Sequence, residues 1–217
     1  MSDAETARLI ALAVGGGIWG LAADRIAARW PAHADGHTRS LDWRSVAVAL
    51  SGAAAFAGLA ARWSEPRDLV VVGVFFAALI LLLATDLDQR LLPDAVTLQL
   101  IPFALVVLLI AWDPLLNGKS LGLVSGLVAG VGAPASLVLT SRLFGGGVGM
   151  GDIKLAVSLG LVCGIYLLIA GFLVASIVFA VLLVLLIATR RLGLKSAIPF
   201  GPILIAAGVI GALLPAA

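Results

Sequence analysis

Apolar runs long enough to cross a hydrocarbon core recur along the chain, separated by short polar segments that carry most of the charge. A core of about 30 Å asks for roughly 20 residues of helix. The first run covers residues 6–27 and is rich in glycine, with Gly15, Gly16, Gly17 and Gly20 allowing close helix packing. Residues 29–44 follow as a short polar loop holding Pro31, His33, Asp35, Gly36, His37 and Trp43. Runs two and three cover 45–61 and 69–85, with Trp63, Glu65, Pro66 and Asp68 between them. Run four starts after Pro93, because proline is accepted at a helix start, and it ends near Trp112. Run five covers 121–140.

Residues 155–189 carry no charge at all, and one straight helix of that length would measure about 50 Å, well beyond a bilayer. The pattern predicts a break at Gly160, Cys163 and Gly164, with a short span from Asp152 and a long one over 165–189. The last span opens at Pro199-Phe200-Gly201-Pro202. The expectation is an all-α, polytopic integral membrane helical bundle of about eight transmembrane segments, forming a single domain over residues 1–217.

Composition supports the pattern. Of the 217 residues, 62% are hydrophobic and 12% charged, with mean hydropathy +1.16, too little polar surface to cover a soluble globule. A single cysteine, Cys163, excludes an intramolecular disulfide framework and a CxxC zinc site. The net charge of +2 is small and the basic residues are scattered, which gives nucleic-acid binding no support. Asp3 and Glu5 precede the first run without the basic segment and cleavage site of a secretory signal, so that run is expected to be retained.

Alternating eight spans places Arg25, Arg29, Arg39, Arg44, Arg90, Arg142, Lys154, Arg190, Arg191 and Lys195 on one side. The other side receives Arg8, Arg62, Arg67 and Lys119. The richer side is expected to be cytoplasmic, with both termini outside. Asp86 and Asp152 then share the cytoplasmic face although no step of the assignment required it.

Those two acids are the candidate chemistry. An ionisable group at the edge of a bilayer is costly unless paired or wetted. Read singly, Asp86 is a helix-terminal acid at the water line, and Asp152 is an N-cap after a glycine-rich loop. Read together, two close carboxylates do not ionise alike, so one can take a proton from water while the other polarises a carbonyl. The glycines before Asp152 leave bare backbone against which an extended peptide can lie. A nucleotide loop is excluded, since no strand precedes it and no lysine has Walker spacing.

Three segments resemble the type IV prepilin peptidases, membrane aspartyl proteases of the GxGD class, in the correct order along nearly the whole chain. Gly149-Met150-Gly151-Asp152-Ile153-Lys154-Leu155 resembles the GxGD signature, Asp86 with Leu91-Leu92-Pro93-Asp94 the other catalytic segment, and Pro199-Phe200-Gly201-Pro202 the opening of the last span. The resemblance implies catalytic roles for Asp86 and Asp152 and supporting or substrate-binding roles for Gly149, Gly151, Lys154, Pro93, Asp94, Pro199 and Gly201. It implies removal of a short basic leader from prepilins or pseudopilins at the cytoplasmic membrane face, after a glycine that precedes a hydrophobic helix. The long forms carry two CxxC pairs in the first cytoplasmic loop; residues 29–44 have none, so no metal or cofactor is expected and N-methylation does not follow.

His33 and His37 have helical ligand spacing, but Pro31 and Gly36 favour a metal-free loop. Trp30, Trp63 and Trp112 fall at span ends, as interfacial anchors do. Asp88 and Asp94 are rivals to Asp86, and Asp94, just after Pro93, reads better as a helix-start residue. Lys154 and Arg90 suit either tuning of the acids or marking of the cytoplasmic border. Two other classes share the profile: a small multispan transporter, with Gly201-Pro202 as a helix break, and a non-catalytic membrane component of a secretion or pilus system.

Overall fold

A computed structural model describes residues 2–32, 38–143, 145, 148–189 and 200–215. Among these the chain forms seven helices and no strand: α1 (Asp3–Ala27), α2 (Trp43–Arg62), α3 (Pro66–Gln89), α4 (Asp94–Leu109), α5 (Gly122–Leu143), α6 (Met150–Ala188) and α7 (Gly201–Leu213). Five of them, α1, α2, α3, α5 and α6, are long and apolar enough to cross a membrane, while α4 and α7 are shorter apolar helices. The protein is a polytopic helical membrane protein. Its surface agrees, since large apolar side chains such as Ile18 and Ile177 (63% exposed each) and Val131 (72%) face outward along the bundle.

α6 is two helical segments joined at Gly164, whose backbone (φ 65, ψ −176) is not helical. The break falls inside the window the apolar length demanded. Non-glycine residues hardly visit that conformation. The N–H freed at Ile165 donates to Ser125 Oγ on α5 at 3.0 Å, which is how an interrupted helix inside a bilayer keeps its backbone satisfied. With this break counted, the described residues hold eight helical segments.

α3 is the most enclosed of the five long helices. Its Phe75, Phe76, Leu79 and Leu82 are buried, because it packs against α1, α2, α4 and α7. α6 makes the second hub, against α4, α5 and α7. α1 and α2 cross closely: a Cβ at Gly16 would stand 2.4 Å from the Gly52 carbonyl oxygen, so only bare backbone fits there. Pro102 and Pro134 lie inside α4 and α5, a placement that membrane helices tolerate where neighbours re-satisfy the backbone. Trp30 follows the end of α1, Trp63 is the C-cap of α2, and Trp112 lies just beyond α4.

Candidate active site

Asp86 sits in the last turn of α3, which ends at Gln89. The helix stops because Arg90 takes left-handed dihedrals (φ 54, ψ 41), and the Arg90 N–H donates to the Asp86 carbonyl at 2.9 Å. Asp86 is 6% exposed. Gly201, the first residue of α7, lies directly on its carboxyl group: a Cβ there would be 2.8 Å from Cγ and 2.9 Å from each oxygen. Asp86 Oδ2 is buried without a hydrogen-bond partner among the described residues. Both Asp152 and Arg90 act on it electrostatically.

Asp152 lies in the first turn of α6. The N-cap is Gly149 (φ −67, ψ 147), so Asp152 is not the cap itself; its carboxylate accepts the Gly149 N–H from within the turn. This corrects the N-cap reading by three residues. The helix starts earlier because the Gly149 backbone can bend in where a side chain would crowd the carboxylate, with a Cβ there only 3.3 Å from Asp152 Oδ2.

The two acids are held near one another by the residues between α3 and α4. A Cβ on Gly151 would lie 2.7 Å from Leu92 Cβ and 3.1 Å from the Leu92 oxygen, so glycine here lets the segment after Asp86 press on the first turn of α6. Pro93 is the N-cap of α4, with its carbonyl accepting from the Val96 and Thr97 N–H groups at 3.0 Å each. Asp94 begins α4 and accepts from Lys154 Nζ at 2.6 Å. Lys154 is thereby assigned a tie between α4 and α6. Of the expected motif residues, Pro199 lies outside the described residues, as do His33, His37, Arg190, Arg191 and Lys195.

The rival acids are already engaged. Asp94 has Lys154, and Asp88 accepts from Arg39 Nε at 2.6 Å and from Arg44 Nη1 at 3.3 Å. Of Asp86, Asp88 and Asp94, Asp86 is the one with a buried oxygen that lacks a partner. Among the described residues no three His, Cys, Asp or Glu side chains gather as metal ligands would.

Residues 73–185, just over half of the chain, match the type IV leader peptidase family. The chain belongs to that family. The matched stretch holds Asp86, Asp94, Gly149, Gly151 and Asp152, and it ends short of Gly201. Relatives named prepilin leader peptidase/N-methyltransferase align with most of the chain. The Bacillus subtilis protein is 29% identical over 167 residues, covering 77% of this chain and 64% of that protein. The Aeromonas hydrophila protein is 37% identical over 177 residues, covering 78% and 54%, and the Pseudomonas putida protein is 34% identical over 155 residues, covering 70% and 52%. The chain thus spans between about half and just under two thirds of the length of these leader peptidase relatives. No solved structure matches it.

Two groups of residues escaped the sequence reading. One is the set of charges around Arg39, whose partners lie on three different helices, so no local spacing reveals it. The other is Asp113, 1% exposed in the connection between α4 and α5. Its Oδ1 accepts the Leu115 N–H at 2.8 Å, and Oδ2 is buried without a partner among the described residues. Burial pushes this carboxyl up to about 7, against the opposing hydrogen bonds from the Leu115 and Leu116 backbone. It stands beyond the end of α4 opposite Asp94, away from the Asp86 site. An acid directly after an interfacial tryptophan, Trp112, was the available signal.

Proposed function

We propose that this protein is a membrane-embedded aspartyl endopeptidase that removes the leader of type IV prepilins or pseudopilins, with Asp86 and Asp152 as its catalytic pair. The observation that carries the reading is Asp86: a buried carboxyl with an unpartnered oxygen, in electrostatic reach of a second acid, inside a chain of the type IV leader peptidase family. The bare backbone of Gly201 packs against one acid and that of Gly149 against the other, so closely that a Cβ at Gly201 would clash with the carboxyl and one at Gly149 would crowd it.

One carboxylate, deprotonated, takes a proton from a water molecule. That water attacks the carbonyl carbon of the leader's final glycine, while the other carboxyl, protonated, donates to the carbonyl oxygen. The tetrahedral species collapses with the proton passing to the leaving amine, and no acyl-enzyme forms. The two titrations are coupled and belong to the pair. The basic residues clustered at this end of the bundle support an active site facing the cytoplasm from the inner membrane. N-methylation forms no part of the proposal.

The test is cleavage by purified protein in lipid vesicles. A precursor with a short basic leader ending in glycine ahead of a hydrophobic helix should be cut once, after that glycine. An intact precursor under conditions where a known leader peptidase cuts it would overturn the reading and return the transporter and scaffold classes.

A further inference from the structure

Arg39 places each nitrogen of its guanidinium on a different carboxylate. Nε donates to Asp88 on α3 at 2.6 Å, Nη1 to Asp42 at the start of α2 at 2.5 Å, and Nη2 to Asp24 at the end of α1. Asp24 is 0% exposed, and its other oxygen accepts from Ser45 Oγ at 2.7 Å and from Arg25. Arg25 in turn donates to the Arg39 carbonyl at 3.1 Å. Three arginines (25, 39 and 44) and three aspartates (24, 42 and 88) thus form one group at the site end of α1, α2 and α3. Arginine alone has the planar fork for this; a lysine ammonium is a point charge.

Asp88 stands two residues beyond Asp86. Two helical residues are about 200° apart around the axis, so Asp88 faces α1 and α2 while Asp86 faces α7. The turn carrying both is the final one of α3, where carbonyls lack helical partners and fraying begins. Gln89 adds a second tie on this turn, donating to the Pro31 carbonyl at 2.8 Å.

We infer that Arg39 is a positioning residue, clamping the last turn of α3 from behind so that Asp86 is held against Gly201 and Asp152. Its effect on catalysis rests on the function proposed above; its effect on the turn does not.

The experiment therefore has two readouts on the purified protein in lipid. Amide hydrogen exchange should accelerate at residues 86–90 in Arg39→Ala and in Asp88→Asn, with α5 unchanged. Cleavage of the precursor by Arg39→Ala should lose about 100-fold in kcat with KM within about twofold, the scale of a misplaced catalytic group. Arg39→Lys should recover part of that loss. Asp88→Asn keeps the Arg39 contacts to α1 and α2 and stands in if Arg39→Ala does not fold, with Arg44→Ala, which should leave exchange at 86–90 near wild type, separating the Arg39 tie from the Arg44–Asp88 contact. Unchanged exchange at 86–90 in the folded variants, or a loss confined to KM, overturns the clamp. Accelerated exchange in a protein whose wild type cuts no precursor leaves the clamp standing and overturns the proposed function.

Discussion

Burying a carboxyl group with an oxygen left unpaired costs free energy that the rest of the fold has to offset. Asp86 is such a group, and Gly201 keeps it in place by having nothing beyond its α-carbon. Gly201→Ala should therefore displace the carboxyl and lower kcat by about 10-fold or more while the protein remains folded, since small misplacements at a reacting group are expensive. Full activity in that variant would show that Asp86 does not act from this position. Asp113 allows a separate test that involves no catalysis. Its folded-state value of about 7 lies above the ordinary 3.8, so between these values the folded protein holds the proton and the unfolded chain does not. Stability then falls as pH rises through that window. Asp113→Asn cannot ionise, so its margin in melting temperature over wild type should widen from about pH 5 to about pH 8. A margin independent of pH would contradict the burial argument. Asp86 and Asp152 were legible in the sequence because charge is conspicuous beside apolar runs. The partners that separate Asp86 from Asp88 were not, because Arg39 meets Asp88 across 49 positions.

Helices obey the apolar pattern closely here, since in a bilayer every run must satisfy its own backbone. The runs at 6–27, 45–61 and 121–140 became α1, α2 and α5 with ends moved by a few residues, as caps such as Asp42 at the start of α2 extend the helix into the polar loop. The 35 uncharged residues required a break and narrowed it to three positions; the choice of Gly164 depended on Ser125, which lies 40 residues away and is ready to take the freed Ile165 N–H. Gly164→Ala forces a side chain into a glycine-only conformation and should cost about 1–3 kcal/mol. Ser125→Ala removes the acceptor and should cost a similar ~1–3 kcal/mol. Reversible unfolding in bicelles measures both, and stabilities equal to wild type would show that the joint between the two halves of α6 is not under this constraint.

At the scale of the molecule, the ends of α3 and the starts of α4, α6 and α7 converge on one end of the bundle, where Arg25, Arg39 and Arg44 also gather. α4 then carries the chain to the opposite end. Single cysteines at Ser40 and Ser120, in a Cys163→Ser background, should accordingly label with an impermeant maleimide from opposite sides of the membrane, Ser120 from outside; labelling of both from one side would contradict the orientation. The central claim is that Asp86 and Asp152 act as one catalytic unit, and the most direct measurement is precursor cleavage by Asp86→Asn, Asp152→Asn and the double variant, each confirmed as folded in the membrane. Asparagine keeps the shape of the side chain and removes the proton the pair must share. Each single change should abolish cleavage, the double change should be no worse than either, because members of a catalytic unit do not add, and Asp94→Asn should retain measurable activity. Normal cleavage by folded Asp86→Asn or by folded Asp152→Asn would contradict the account.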